Sequence, residues 1–160
     1  MEWLPVLIIG GGPVGLALAL DLNHFGTDSL VVEADAGTAT VLLAKAGTLN
    51  ERTIEFCRRW GLVDSIAATF PEDLARDTVY CTALDGRLVG RDRSPSQRDR
   101  RPPEASPEML QKCPQHVFDP LLANRVAELG LTERHHGARA VVPGAGAGGA
   151  GTARAPRRPS

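Results

Sequence analysis

The sequence has few cysteines, little net charge and no long hydrophobic run without a break. Its three cysteines, Cys57, Cys81 and Cys113, are an odd number with no close pair, so neither a disulfide framework nor a zinc-binding knuckle is indicated. We expect reduced thiols and a cytoplasmic protein. The net charge of −1 excludes a strong overall attraction to nucleic acids or acidic membranes. Because 42% of the 160 residues are hydrophobic, the chain has enough apolar material for one domain, and disorder throughout is excluded.

The longest uncharged run, residues 3–20, is interrupted by three consecutive glycines and by Pro13. The only charge before it is Glu2, whereas a signal peptide would carry a basic cluster there. The run therefore predicts a strand, a turn and a helix rather than a membrane span.

The charges are unevenly distributed along the chain. Residues 1–136 hold 14 basic and all 19 acidic residues, a net charge of −5, whereas residues 137–160 hold four arginines and no acid. The latter segment also has seven alanines, six glycines and three prolines, a composition that cannot build a hydrophobic core. We therefore predict an ordered domain over residues 1–131 and a disordered Gly/Ala/Arg/Pro tail over residues 132–160.

Three short segments predict a β-α-β unit near the N-terminus. Residues 5–9 and 29–33 are short apolar strands, and residues 13–25 form an apolar helix with Pro13 in its first turn and Gly26 after its end. Such a unit has parallel strands and a right-handed crossover. The predicted fold class is α/β, with a Rossmann-like nucleotide-binding unit.

The remaining segments predict fewer elements. Residues 49–60 predict a helix capped by Asn50, residues 77–91 a hairpin turning at Asp85-Gly86, and residues 92–108 a loop. Residues 115–129 predict another helix. Pro120 leaves its start open: the helix begins either at Asp119 or at Gln115 with a bend.

The segment Gly10-Gly-Gly12-Pro13-Val-Gly15 fits the G-x-G-x-x-G pattern between a strand and a helix. The first glycine permits the tight turn, the second lets the backbone approach a pyrophosphate, and the third lets the helix pack on the strand. The helix N-terminus offers free N–H groups and partial positive charge to the anion.

A carboxylate follows at the spacing that this motif requires. Glu33 ends the second strand, 18 residues after Gly15, close to the roughly 20 expected for the acid that binds the ribose hydroxyls. Its charge would repel a ribose 2′-phosphate, which disfavours NADP at this site. FAD and NAD both remain compatible with the turn.

Three segments resemble the FAD-dependent aromatic hydroxylases, the p-hydroxybenzoate and phenol hydroxylase type of flavoprotein monooxygenase. The first is residues 5–35, with the glycine turn and Glu33. The second is residues 44–62, with Lys-Ala-Gly and an Arg-Thr-x-Glu helix. The third joins Ser106-Pro-Glu to residues 113–122, and it is similar to the glutamine-led helix of the phenol and chlorophenol hydroxylases. Together they cover most of residues 5–130.

The resemblance implies FAD as cofactor, NAD(P)H as reductant, and a set of cofactor contacts. The predicted cofactor-binding residues are Gly10, Gly12, Pro13, Gly15, Glu33, Lys45, Arg52 and Gln115. Lys45 stands where the family usually has arginine, which keeps the charge but loses the planar fork. Gln115 matches the glutamine near the ribityl–phosphate region, and Arg52 matches the arginine of Arg-Thr-x-Glu without an assigned contact. An exposed side chain without a cofactor role is the alternative for these three.

No catalytic residue and no metal ligand is predicted. His116 and the pair His135-His136 have no carboxylate or cysteine partner at ligand spacing, so they are expected to face solvent.

The resemblance also implies an activity, hydroxylation of a phenolic or other aromatic ring with oxygen. The cofactor performs this chemistry while the protein orients it and excludes water. Later family segments that contact FAD and NAD(P)H, and the sheet that covers the substrate, have no counterpart here; residues 77–91 correspond to the first hairpin of that substrate domain. We therefore expect a truncated chain that hydroxylates poorly on its own, with the tail arising from a frame change or a misplaced gene boundary.

Three other functions are kept open. A non-catalytic nucleotide-binding fragment would retain FAD weakly and show no oxygen chemistry. An NAD-linked dehydrogenase would need a Tyr-x-x-x-Lys pair, but Tyr80, the only tyrosine, is followed by Leu84. Nucleic-acid binding through the tail rests on four arginines without aromatic residues among them.

Overall fold

The computed structural model of the protein describes residues 6–36, 47–69, 77–92, 101–141 and 152–154. Its strands are β1 (Val6–Ile9), β2 (Ser29–Glu33), β3 (Thr48–Leu49), β4 (Thr78–Cys81), β5 (Leu88–Asp92), β6 (Gln111–Lys112), β7 (Thr132–His136), β8 (Arg139–Val141) and β9 (Thr152–Arg154). Its helices are α1 (Pro13–His24), α2 (Glu51–Arg59), α3 (Val63–Ala67) and α4 (Gln115–Leu129). The chain divides into a sheet unit, Met1–Gly47 with Pro114–Ser160, and a second unit, Thr48–Cys113.

The sheet unit contains a parallel sheet with the strand order β1-β2-β7. Val6 pairs with Ser29 at one end of the register, and Glu33 pairs with His136 at the other. Parallel neighbours require a crossover, which α1 supplies between β1 and β2. The predicted α/β class and the β-α-β unit are confirmed.

Helices α1 and α4 pack against each other and against the sheet. The buried apolar side chains of this core are Ile8, Leu16, Ala19, Leu20, Val31, Val32, Phe118, Leu122 and Val126. Helix α1 ends at a glycine with a positive φ of 69°, Gly26, and Thr27 N–H donates to the Leu22 carbonyl at 2.9 Å, as in a Schellman C-cap. This packing holds the N-terminus of α1 beside the carboxyl end of β2.

The chain beyond residue 131 differs from the predicted disordered tail. Residues 132–136 form β7, paired along the whole length of β2, and residues 139–141 form β8, paired with β9. A side-chain hydrogen bond also links β2 and β7, since the hydroxyl oxygens of Ser29 and Thr132 lie 2.9 Å apart. Residues 132–136 are ordered because β2 offers a complete row of main-chain partners to a segment with no hydrophobic pattern of its own. Residues 142–151 and 155–160 of the predicted tail lie outside the described residues, so the domain boundary stays a prediction.

Helix α4 begins at Gln115, which settles the two starts left open by the sequence. Pro120 lies inside the helix and removes one main-chain donor. Gly130, with a φ of 75°, ends the helix, and the following Leu131 carbonyl accepts from Ser29 N–H at 3.1 Å. The helix and the strand that follows it are thus joined by two residues, Gly130 and Leu131, of which Gly130 is left-handed.

The second unit is built around α2. Asn50 caps this helix as predicted, and its Oδ1 accepts from the Thr53 backbone N–H at 2.9 Å. Ile54, Cys57 and Trp60 are buried, which confirms the predicted three-residue spacing of the apolar face. Glu108, which is also buried, pairs with the guanidinium of Arg58.

The hairpin predicted for residues 77–91 forms from β4 and β5. Its turn is longer than the expected two residues. Thr82 N–H donates to the Arg87 carbonyl and Gly86 N–H donates to the Ala83 carbonyl, so Ala83–Gly86 is a four-residue turn with glycine in its last position. The assignment of this hairpin to a substrate domain stays a prediction.

All three cysteines are free thiols, Cys57 and Cys113 buried and Cys81 exposed. Burial raises the pKa of the Cys57 thiol to about 12. Among the described residues, no helix is both long enough and apolar enough to cross a bilayer.

Candidate functional site

A cleft of about 230 Å³ opens at the carboxyl end of the parallel sheet, within the sheet unit. Its lining residues are Gly11, Gly12, Pro13, Leu16, Glu33, Asp35, Gln115, His116, Asp119, Pro120, Ala123, Arg134 and His136. In open parallel sheets this edge is where ligands bind. The cleft brings together four of the eight residues that the sequence identified: Gly12, Pro13, Glu33 and Gln115.

The glycine turn explains why two of its positions hold glycine. Gly10 has a φ of 103°, a conformation that residues with a side chain rarely adopt, and its N–H donates to the Val32 carbonyl at 2.8 Å. A Cβ on Gly15 would lie 1.9 Å from the Gly10 carbonyl oxygen. Both positions therefore serve the tight passage from β1 into α1 and hold the turn in place.

Gly12 has a different role from Gly10 and Gly15. A Cβ built on Gly12 meets nothing within 4 Å, so the structure does not need glycine there for its own packing. The residue is the N-cap of α1, no side chain caps the helix, and its first turn carries no acid. The N–H groups of Val14 and Gly15 have no acceptor within the helix. The turn thus presents bare backbone and free N–H groups beside the cleft, as an anion site requires.

Glu33 is held in one orientation by two backbone donors. Gly11 N–H donates to Oε2 at 2.6 Å, and Asp35 N–H donates to Oε1 at 2.9 Å. These hydrogen bonds, that from Asp35 first, lower the pKa of the carboxyl group, so it is ionised at neutral pH. Each oxygen keeps lone pairs for further hydrogen bonds, and the carboxylate is suited to accept from two neighbouring hydroxyls.

Gln115 lies in the same cleft as the turn, at the first position of α4. Its Nε2 donates to Asp119 Oδ2 at 3.1 Å, which fixes the side chain one helical turn from its own backbone. The side-chain oxygen of Gln115 and its second amide hydrogen stay available to a ligand.

Two predicted residues are not part of this cleft. Lys45 lies outside the described residues. Arg52 belongs to the second unit, where it is exposed on α2, bonds Glu55 Oε2 at 2.7 Å and places its guanidinium 4.8 Å from the Phe56 ring centroid. Its cofactor role stays a prediction.

Sequence reasoning missed the contribution of β7 to the cleft. Arg134 and His136 line it, although the segment was expected to be disordered. His116 and His136 are exposed, as the sequence predicted, and His135 is partly buried. The guanidinium NH1 of Arg134 donates to the Ala123 carbonyl at 3.2 Å, and NH2 lies 3.1 Å from His136 Nε2. The sequence did contain one indication of this strand, its position. The segment directly follows a predicted helix, where a second β-α-β crossover would return the chain to the sheet.

His135 points away from this pair. Residues of a strand alternate between faces, and His135 Nε2 bonds Glu133 Oε1 at 2.6 Å instead. Within the described ranges no group of three or more His, Cys, Asp or Glu side chains is arranged to hold a metal ion.

Taken together, the cleft offers donors for an anion at the turn and a fixed carboxylate for a diol at the end of β2. A pyrophosphate would match the donors of the turn, and the ribose attached to it carries the diol that would match the carboxylate. The chemistry of the donor set therefore fits the adenosine diphosphate part of a dinucleotide.

Comparison with known proteins identifies a family. Residues 4–154 match the family described as "FAD binding domain". The chain is 33% identical over 135 residues to a 2,4-dichlorophenol 6-monooxygenase of Delftia acidovorans. The aligned residues cover 82% of this chain and 23% of that protein. The chain is 35% identical over 121 residues to a phenol 2-monooxygenase of Pseudomonas sp. (strain EST1001), covering 73% and 20%.

Solved structures agree with the sequence matches. The rebeccamycin biosynthetic enzyme RebC with reduced flavin superposes with a TM-score of 0.75 at 38% identity, over 86% of this chain and 26% of that one. The chain thus spans about a quarter or less of the length of the relatives that it matches.

Proposed function

Because the chain belongs to the FAD binding domain family of the flavin-dependent aromatic monooxygenases, we propose that its sheet unit binds the adenosine diphosphate part of FAD for the hydroxylation of a phenolic ring. The observation that carries the proposal is the Gly11–Glu33 hydrogen bond of 2.6 Å, which places the carboxylate beside the turn that faces the pyrophosphate. NAD(P)H as reductant and oxygen as co-substrate are part of the same proposal.

Each residue has a separate part in holding the cofactor. Gly10 and Gly15 shape the turn, Gly12 leaves room for the pyrophosphate, and the N–H groups of Val14 and Gly15 donate to it. Glu33 accepts from the ribose hydroxyls, with its two oxygens already oriented by backbone donors. Gln115 offers its amide to the ribityl–phosphate region.

Bound FAD supplies redox and oxygen chemistry that no side chain has. The contribution of the described residues is affinity and orientation, because rigid hydrogen bonds hold Glu33 and Gln115 before the cofactor arrives. Roles in FAD binding for Lys45 and Arg52, and a cytoplasmic location, remain part of the proposal. So does poor hydroxylation by these 160 residues on their own.

The alternatives are less well supported. The family match and the similarity to phenol monooxygenases favour a flavoprotein over an NAD-linked dehydrogenase. A non-catalytic nucleotide-binding role would use the same cleft, and oxygen consumption by the protein loaded with FAD and supplied with NAD(P)H distinguishes it.

The direct test is retention of flavin. The purified chain, incubated with excess FAD and passed through a desalting column, is expected to keep the visible flavin absorption. FMN, which has the flavin but lacks the adenosine, should be lost in the same treatment. A colourless protein after incubation with FAD, or equal retention of FMN, would show that the cleft does not bind the cofactor in this way.

A further inference from the structure

The order of the strands predicts where the third part of the ligand lies. The turn that faces the pyrophosphate follows β1, and the carboxylate that faces the ribose ends β2. The sheet continues in the same direction to β7. In adenosine diphosphate the base is attached to the ribose on the side away from the phosphates, so a ligand that follows this order brings its base to the carboxyl end of β7.

The end of β7 carries His136 at that place. His136 pairs in register with Glu33, so both side chains project from the same face of neighbouring strands, and both line the cleft. His136 is exposed, and the two residues after it stay bonded to the end of β2: Gly137 N–H donates to the Asp35 carbonyl at 3.3 Å and Ala138 N–H to the Glu33 carbonyl at 3.0 Å. The backbone of His136 is thereby held beside Glu33 rather than on a free end.

The contact with Arg134 determines which hydrogen the imidazole can offer. The guanidinium has donors only, so the 3.1 Å contact between NH2 and His136 Nε2 requires Nε2 to accept. The proton of a neutral imidazole then lies on Nδ1, which is a donor. Arg134 is itself held on α4 through the Ala123 carbonyl, so the position of the whole pair is fixed by the fold.

We infer that the Arg134–His136 pair is the base-recognition element of this cleft: the Nδ1–H of His136 donates to a ring nitrogen of adenine, and Arg134 holds the imidazole in the required tautomer and orientation. His136 is then a binding residue and Arg134 a positioning residue. This inference rests on the proposed function, since it assumes that the pyrophosphate and ribose bind as described above.

The test compares FAD affinity in the whole chain and in three variants. His136→Phe keeps a ring of similar size without a donor, and Arg134→Gln removes the group that orients it. His135→Phe is the matched control, because its side chain lies on the opposite face of the same strand. Loss of one hydrogen bond corresponds to about fivefold weaker FAD binding for His136→Phe and Arg134→Gln, with His135→Phe unchanged.

A second measurement separates recognition from a general effect on folding. The ratio of the dissociation constants of UDP and ADP compares two bases on the same ribose and pyrophosphate. We expect the wild type to prefer ADP, and His136→Phe to lose most of that preference. A variant that is merely less stable would bind both nucleotides less well with the ratio preserved.

The outcomes distinguish this inference from the proposed function. If the wild type binds FAD and both cleft variants bind it equally well, or if the UDP/ADP ratio is the same in His136→Phe and wild type, the base-recognition element is refuted while the proposed function stands. If the wild type binds ADP with the expected preference but does not bind FAD, the proposed function fails and the base-recognition element stands.

Discussion

Gly11 donates its backbone N–H to Oε2 of Glu33 at 2.6 Å, across 22 residues of sequence. The bond joins the turn after β1 to the last residue of β2, so the two parts of the motif that we propose to bind phosphate and ribose are held together. A charge-assisted hydrogen bond of this kind is stronger than one between neutral groups. The ligand therefore meets an oriented carboxylate, and less ordering is left to occur on binding.

Glu33→Gln should weaken FAD binding roughly tenfold or more, because hydrogen bonds to a charged acceptor contribute more than those to a neutral amide. Quenching of flavin fluorescence during titration measures this. Glu128→Gln is the control, since that carboxylate lies on α4 outside the cleft and pairs with Arg125. Equal affinity of the two variants would rule out a role for Glu33.

The glycines at positions 12 and 15 should respond differently to the same change. Gly15→Ala places a Cβ against the Gly10 carbonyl, and we expect a loss of about 2–3 kcal/mol in the free energy of unfolding. Gly12→Ala has open space, so unfolding should change by less than about 1 kcal/mol while FAD retention is lost. Urea denaturation and flavin absorption of both variants check the pair. Retention of FAD by a folded Gly12→Ala protein would contradict the assigned pyrophosphate position.

The acid side of the stability profile should depend on Glu33. Backbone donors lower its pKa in the folded protein below the ordinary value of 4.5. A depressed folded pKa means that the carboxylate stabilises the fold above the unfolded pKa, and this contribution is lost as the pH falls through the folded pKa. Thermal melting between pH 3 and pH 7 should therefore show a smaller acid-side decrease in Glu33→Gln than in wild type. Parallel profiles in the two proteins would contradict the lowered pKa.

The N-cap of α2 should make a measurable contribution to stability. Asn50 Oδ1 accepts from both the backbone N–H and the hydroxyl of Thr53, so Asn50→Ala should cost about 1 kcal/mol of unfolding free energy. Asn50→Asp keeps an acceptor at the same place and should retain most of it. Chemical denaturation measures both, and an unchanged Asn50→Ala protein would show that the cap is dispensable.

Thiol reactivity should separate the three cysteines. Cys57 and Cys113 are buried, and burial raises the pKa of Cys57 to about 12, whereas Cys81 is exposed on β4. The thiolate is the reactive form, so an aromatic disulfide reagent at pH 8 should modify one thiol in the native protein and three after unfolding. Rapid modification of two or three thiols in the native state would contradict the packing around α2.

Local patterns in the sequence were sufficient for the elements that carry the motif. Residues 29–33 form β2 with the predicted limits, because an apolar run bounded by turn residues has few alternatives. Pro13 begins α1 as expected, since the first turn of a helix accommodates a proline without losing a main-chain hydrogen bond. The glycine spacing and Glu33 were visible for the same reason, because each is defined within about 30 residues of chain.

Strand β7 could not be predicted in this way. Its residues Thr-Glu-Arg-His-His have no apolar alternation, and they form a strand because β2 supplies partners 103 residues away in sequence, as the Ser29–Thr132 contact shows. A ligand site needs polar side chains at the carboxyl end of a parallel strand. The same polar residues remove the apolar alternation by which a strand is recognised in a sequence. The base end of the cleft was hidden for that reason.

Pro120 interrupts the main-chain hydrogen bonding of α4 where this helix borders the cleft. A proline nitrogen has no hydrogen, so the carbonyl of His116, one turn earlier on α4, lacks the donor that the helix would otherwise provide. Both residues border the cleft, so the missing hydrogen bond lies in the stretch of α4 that forms the cleft wall. Pro120→Ala would supply the missing donor and complete the helical hydrogen bonds along this wall.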